Sequence, residues 1–202
     1  MKALLLKDWY LLRKRWGLLF GVVLLFSVLS GAQASMLYTL MTTMMLLMIS
    51  LNTLAYDQHD GWDAYASALP VSRTQLVLGK YLLAGICIVV SVMLVLLATI
   101  GLGDRRMDNL LGNALAQVSF GFFFVACNFP LILKFGFEKS RVYYLVVTGV
   151  LIGLTSLLSQ SALSSSSFPA LPFVVPFSAL LAILLSFKLS VFLLKTKEFS
   201  ET

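Results

Sequence analysis

The sequence predicts an all-α integral membrane protein with six transmembrane helices. The first observation behind this prediction is composition, since 59% of the 202 residues are hydrophobic and the mean hydropathy is +0.94. The second is the length of the uncharged runs. There are 41 residues without a charge between Arg15 and Asp57, and 46 between Arg141 and Lys188. A membrane span needs about 20 residues, so each run is long enough for a hairpin of two helices.

Two shorter apolar runs supply one further span each, from Lys80 to Asp104 and from Asp108 to Lys134. Backbone groups in lipid must pair within their own segment, and runs of this kind therefore form helices. We expect one domain over residues 1–202. Its predicted parts are an interfacial helix at 1–15, spans at about 16–34, 36–55, 75–102, 110–133, 142–158 and 173–194, a polar loop at 56–73, and an outer re-entrant or interfacial segment at 159–172.

The placement of the basic residues predicts the orientation of the chain. If both termini face the cytoplasm, 13 of the 15 Lys and Arg residues lie on the inner side, and only Arg105 and Arg106 lie outside. This asymmetry follows the positive-inside rule. The net charge of +6 is therefore explained by topology and does not indicate a nucleic-acid partner.

The first 15 residues combine leucine and aromatic positions with basic ones. Leu4, Leu5, Trp9 and Leu12 form an apolar stripe at helical spacing, and the lysine and arginine side chains lie off that stripe. Such a pattern is typical of a helix that lies on the inner leaflet of the bilayer. The alternative is a basic flank that only sets the topology.

The polar loop 56–73 between spans two and three is the most distinctive stretch of the chain. Asp57, Asp60 and Asp63 recur at every third position. Asp60 can cap a short helix with Asp63 at the third helical position, which is the arrangement of a capping box. Pro70 is expected to end that helix, because proline is not accommodated in a helix interior.

One face of this short helix is aromatic and apolar. Trp62, Tyr65 and Leu69 fall on it at helical spacing, while the aspartates lie elsewhere. An amphipathic helix of this kind is expected to dock against another protein. Lipid is a poorer partner, because an anionic leaflet would repel three carboxylates.

The third span has its own start signal immediately after the loop. Ser72 followed three residues later by Gln75 predicts a second capping box, so the helix is expected to begin at Arg73. This signal fixes the point at which the polar loop returns to the membrane.

Within the spans, three patterns are candidates for packing or for substrate contact. Hydroxyl side chains share one face of span two, together with methionine side chains. This pattern is typical either of close helix packing or of a surface that contacts hydrophobic substrates of varied shape. Asn128 precedes Pro130 by two residues and is expected to pair with a carbonyl group that the proline leaves free, or less simply to bind a ligand. Gly149 and Gly153 have the G-x-x-x-G spacing of close helix packing. The substrate-lining candidates are Thr39, Thr42, Thr43, Met44, Met48, Asn52 and Asn128.

The sequence contains no catalytic constellation that is complete. The stretch from Asp57 to Ala64 matches the first half of the CDP-alcohol phosphotransferase motif, but Tyr65 replaces its arginine, and the further aspartates that would hold metal ions are missing. His59 is the only histidine, so no metal site is expected. No P-loop occurs anywhere in the chain. If the work of this protein uses ATP, another chain must bind it.

The loop and its flanks resemble the small ABC-2 type permeases of bacterial ABC exporters. The resemblance lies in the basic start LLLKDWYLLRKR, the six spans and above all YDQHDGWDAYASALPVSRTQLVLGKYL. It implies a non-catalytic permease subunit of the bacterial cytoplasmic membrane, paired with a second permease chain, identical or different, and with ATPase subunits that carry ATP and Mg²⁺. Relatives export amphipathic peptides, bacteriocins or antibiotics, and an export role would make this chain part of antimicrobial resistance. The residues that would contact the ATPase are Asp57, Asp60, Trp62, Asp63, Tyr65, Leu69, Pro70 and Arg73.

An alternative function remains open at this point. A membrane immunity or regulatory protein could bind a toxic peptide or a sensor protein without transporting anything. Co-purification of an ATPase distinguishes the two.

Overall fold

The computed structural model describes residues 16–33, 35–61, 72–102, 107–164 and 171–196. Within these ranges the chain is all-helical, as predicted. The helices are α1 (Trp16–Gln33), α2 (Met36–His59), α3 (Arg73–Gly101), α4 (Met107–Phe135), α5 (Phe137–Ser164) and α6 (Leu171–Thr196). The predicted interfacial helix at 1–15 lies outside the described residues.

Four of these helices contain stretches that are long and apolar enough to cross a membrane. The stretches are Met36–His59, Thr74–Gly101, Leu110–Phe135 and Val175–Leu194. Helices α1 and α5 carry the shorter apolar stretches Phe20–Ala32 and Val142–Thr155. Six membrane crossings and the orientation of the termini therefore stay predictions.

Two helices extend beyond the predicted spans. Helix α2 does not end at about residue 55 but continues to His59, so the first turn of the predicted polar loop is helical. The polar side chains of this turn are held by neighbouring helices, as described below. Likewise, α5 continues through residues 159–164, so the first part of the predicted outer segment 159–172 is helical, and its re-entrant or interfacial placement stays a prediction. The helix continues here because serine and glutamine are tolerated in a helix. The first strong helix breaker in this region, Pro169, follows the end of α5.

Helix α4 lies at the centre of the bundle. It packs most extensively against α6 and also contacts α2, α3 and α5. Phe120, Phe124 and Phe129 of this helix are completely buried, and they form the core together with leucines of α2. The ring of Phe124 meets that of Tyr144 edge-on, with 5.8 Å between the centroids. Because α4 touches four helices, a displacement of α4 changes the packing of most of the protein.

Two glycines permit close helix approach. A Cβ atom at Gly31 of α1 would lie 2.9 Å from the backbone carbonyl of Ala98 in α3, and one at Gly121 of α4 would lie 2.8 Å from the side chain of Ile88 in α3. The predicted G-x-x-x-G pair behaves differently. Gly149 and Gly153 are exposed, and a Cβ atom at either would meet nothing within 4 Å in the described part of the chain. Their predicted packing role has no partner among the described helices.

The outer surface of the bundle is strongly apolar. Large hydrophobic side chains project from α3, α5 and α6, and Val142, Leu185 and Leu97 are each about two-thirds exposed. A water-soluble monomer rarely shows apolar patches of this extent, whereas a lipid-facing surface consists of them. The exposed leucine and valine side chains therefore identify this chain as a membrane protein.

A single residue separates α4 from α5. Gly136 has a φ of +80°, a left-handed conformation that glycine adopts without strain. Across this corner, the Ser140 hydroxyl donates a 3.0 Å hydrogen bond to the carbonyl oxygen of Leu131. The rings of Phe135 and Tyr143 stack with their centroids 5.7 Å apart. The corner is thus closed by contacts from both helices.

Candidate functional site

A buried ion pair lies at the base of the polar loop. Lys80 Nζ is 2.7 Å from Asp57 Oδ2, and these side chains are only 12% and 7% exposed. Asp57 belongs to the last turn of α2, whereas Lys80 lies two turns into α3. Charges removed from water this completely are retained when they are paired. Asp57 therefore ties α2 to α3 within this chain, and its predicted contact with an ATPase stays a prediction.

The neighbouring residue ties α2 to the central helix. Gln58 Nε2 donates a 3.1 Å hydrogen bond to the backbone carbonyl of Ile132 in α4. A Cβ atom at Gly136 would lie 3.9 Å from Gln58 Oε1, so the glutamine also reaches the α4–α5 corner. The last turn of α2 is consequently bonded to α3 through one side chain and to α4 through the next.

Helix α2 then ends at an exposed, polar tip. The side chains of His59 and Asp60 are 85% and 62% exposed, and His59 Nδ1 lies 3.1 Å from Asp60 Oδ1. Asp60 is the C-cap of α2, and Gly61 follows with a φ of +64°. An N-cap role of Asp60 toward a following helix depends on residues outside the described part. The remaining ATPase-contact candidates of the loop lie outside it as well: Trp62, Asp63, Tyr65, Leu69 and Pro70.

The predicted start of α3 is confirmed. The Ser72 hydroxyl accepts a hydrogen bond from the backbone N–H of Gln75, and Gln75 Oε1 accepts one from the backbone N–H of Ser72. This is a complete capping box, and the helix begins at Arg73. The loop therefore returns to the bundle at the residue that the sequence indicates.

The hydroxyl face of α2 is buried inside the protein. Thr39, Thr42 and Thr43 are at most 3% exposed. The hydroxyl of Thr39 lies 2.6 Å from that of Ser30 in α1, and the hydroxyl of Ser91 in α3 donates a 3.4 Å hydrogen bond to Thr43 Oγ1. These contacts agree with the packing interpretation of the face. Substrate contact stays a prediction, as it does for the half-buried Met44, Met48 and Asn52.

The interpretation of Asn128 needs a correction. Its Nδ2 donates a 2.9 Å hydrogen bond to the carbonyl of Phe124, one turn before it. The carbonyl that Pro130 leaves without a backbone donor is that of Ala126 four residues earlier, because each helical N–H bonds the residue four positions back. The prediction of a repair by Asn128 is therefore wrong about the carbonyl involved. Asn128 Oδ1 is buried without a hydrogen-bond partner in the described part of the chain.

Sequence reasoning missed two polar clusters between the spans. In the first, Tyr81 Oη lies 2.7 Å from Ser186 Oγ and 2.9 Å from Ser190 Oγ, which joins α3 to α6. In the second, Gln117 of α4 donates a 3.1 Å hydrogen bond to Ser91 of α3. The signal for the first was available, since serines four residues apart share one face of a helix.

The polar groups of this site lie at contacts between helices. Among the described residues, no three His, Cys, Asp or Glu side chains lie close enough together to hold a metal ion. Instead, the polar groups are used to join helices: α2 to α3 through Asp57, α2 to α4 through Gln58, and α3 to α6 through Tyr81.

The comparisons with known proteins agree with this description. A family model described as ABC-2 family transporter protein matches residues 3–195. No curated protein and no solved structure gives a significant match. The match covers nearly the whole bundle, from before α1 to the end of α6, together with the polar loop. The chain therefore belongs to the ABC-2 family of transporter proteins, the membrane components of ABC transporters.

Proposed function

We propose that this chain is the permease subunit of an ATP-driven exporter, and that the polar loop 56–73 is the contact with separate ATPase subunits. ATP and Mg²⁺ are bound by those subunits. Two permease chains together form the pathway, and a bacterial cytoplasmic membrane holds them. The substrate is amphipathic or hydrophobic, because a pathway for small ions normally requires several charged residues within the spans. In this sequence the predicted spans contain only Lys80, which is paired with Asp57, and Lys188.

The proposal rests on one observation: in this ABC-2 family chain, a polar loop with interface-type residues is attached firmly to the helical bundle. Two helices of an apolar bundle are interrupted by a polar segment that carries Trp62 and Tyr65, residue types that are favoured at the centres of protein interfaces. The segment leaves α2 at the exposed Asp60 and re-enters at the capping box of Ser72. Its base is held by the Asp57–Lys80 ion pair. An external subunit that grips this segment therefore holds a part of the chain that is firmly joined to the bundle.

The orientation supports the same function. With both termini in the cytoplasm, the loop lies on the side where ATP is available. The exposed carboxylate of Asp60 favours contact with a protein, because an anionic inner leaflet would repel it. A cysteine introduced at His59 tests this placement. We expect a membrane-impermeant thiol reagent to label it in inverted vesicles and not in intact cells.

The decisive experiment is affinity purification of the tagged chain from its native membrane. We expect an ATPase with a P-loop to co-purify with the unmodified chain. Trp62→Ala should reduce its recovery by about tenfold or more, since truncation of a central interface residue typically costs about 2 kcal/mol. Asp60→Lys should also reduce it. Trp16→Ala, in α1, is the matched control and should leave recovery unchanged. Purification of the chain without any ATPase, or with equal recovery in all variants, would refute the proposal.

A further inference from the structure

The polar loop is anchored on both of its flanks, and the two anchors bond each other. Asp57 lies one helical turn before the loop leaves α2, and Lys80 lies two turns after it enters α3. The 2.7 Å contact between their side chains therefore closes the loop at its base. Both flanks of the loop are therefore connected by this contact.

An ion pair at this position does more than hold two helices together. Burying two charges costs several kcal/mol of desolvation, and a pair of apolar side chains can hold helices equally well. What the charged pair adds is a defined geometry, because the charge-assisted hydrogen bond between the ammonium and carboxylate groups is short and directional. The pair therefore transmits a displacement of α2 to α3 as long as both charges are present.

The next residue provides a second path from the same helical turn. Gln58 bonds the backbone of Ile132, which is itself buried in the core at the end of α4. Because the acceptor is a backbone carbonyl, a displacement of Gln58 acts on the backbone of α4 and not only on one of its side chains. Helix α4 in turn contacts α2, α3, α5 and α6.

We propose that Asp57 and Gln58 form the joint through which movement of the loop reaches α3 and α4. They are positioning residues for transport: one couples the loop to the helix it leads into, and the other couples it to the centre of the bundle. This inference depends on the proposed function, since it assumes that an ATPase moves the loop. It assigns to two side chains a role that is separate from binding the ATPase.

The test uses the complex of the full chain with its co-purified ATPase in lipid nanodiscs. An environment-sensitive fluorophore is attached at Lys134→Cys, near the end of α4, in a background in which Cys87 and Cys127 are replaced by serine. Lys134 is exposed and three residues before Phe137, where α5 begins. ATP with vanadate is the probe that traps the ATPase in its closed state. We expect it to change the emission of the unmodified complex.

Asp57→Asn and Gln58→Leu should each reduce that emission change by about threefold or more, a size known for residues that carry coupling between sites. The emission change is normalised to the amount of bound ATPase, so that weaker binding is not counted as weaker transmission. The exchanged pair, Asp57→Lys with Lys80→Asp, should recover at least half of the change, because it restores the attraction with the charges reversed. Lys188→Gln, an exposed lysine of α6, is the control and should behave as the unmodified chain.

The outcomes separate the inference from the proposed function. If no ATPase co-purifies with the unmodified chain, the proposed function fails and the joint fails with it. If the ATPase is bound but the label does not respond, or if Asp57→Asn and Gln58→Leu keep the full response, the joint is refuted and the proposed function stands. An exchanged pair that behaves like Asp57→Asn would also overturn the inference, because it would show that attraction between the two charges is not what transmits the movement.

Discussion

The Asp57–Lys80 pair makes a quantitative prediction about the stability of the isolated chain. At 2.7 Å, and with an effective dielectric constant of about 20, the attraction between the two charges amounts to about 6 kcal/mol. Desolvation of two groups that are at most 12% exposed offsets most of this gain. The net contribution of the intact pair is therefore small. Removal of one partner, in contrast, leaves the other charge buried without this opposite charge beside it, at a cost of about 3–5 kcal/mol.

A double-mutant cycle measures this difference. We expect Asp57→Leu and Lys80→Met each to lower the free energy of unfolding by about 3 kcal/mol. The double variant should lose less than about 1 kcal/mol, far below the sum of the two single losses. Unfolding is followed by circular dichroism in mixed micelles with increasing SDS. Lys188→Met removes an exposed lysine from α6 and should change the stability by less than about 1 kcal/mol.

Additivity would refute this reasoning. If each single variant loses less than about 1 kcal/mol, or if the losses simply add in the double variant, the two charges do not depend on each other. Their short separation would then contribute neither stability nor a connection between α2 and α3.

Two further predictions concern the contacts between other helices. Gly31→Ala places a methyl group 2.9 Å from the backbone of Ala98, so α1 and α3 must separate, and we expect a loss of about 1–3 kcal/mol in the same unfolding assay. Gly21→Ala in the same helix meets nothing within 4 Å and should be neutral or stabilising; an equal effect of the two would contradict the close crossing. Tyr81→Phe removes the hydroxyl that both serines of α6 contact, and it should lower the free energy of unfolding by about 1–2 kcal/mol. Tyr143 is exposed, so Tyr143→Phe should leave the stability unchanged. A neutral Tyr81→Phe would contradict the hydroxyl cluster.

The helical class and the start of α3 could be predicted because they depend on local signals. Long uncharged runs exclude other structures in lipid, and the Ser72–Gln75 capping box involves residues only three positions apart. The end of α2 could not be predicted in the same way. Local composition assigned Tyr56–His59 to a loop, but the helix continues because Asp57 and Gln58 find partners on α3 and α4.

The joints between helices could be anticipated only in part. Lys80 lies two turns inside an apolar helix, so it requires a partner, and the aspartates across the loop were the nearest acidic residues in the sequence. The choice of Asp57 among the three depends on the relative rotation of α2 and α3. The bond from Gln58 to Ile132 gives no sequence signal at all, because its acceptor is a backbone carbonyl.

The one-residue corner at Gly136 has a consequence for the whole outer face of α5. Each residue advances an α-helix by about 100°, so insertion of one amino acid beside Gly136 would rotate α5 by that angle relative to α4. Tyr143 and Val147 would then take the buried places of Tyr144 and Thr148, while Tyr144 and Thr148 would turn to the exposed places of Leu145 and Gly149. The length of this corner, a single glycine, thus determines which side chains of α5 face the bundle.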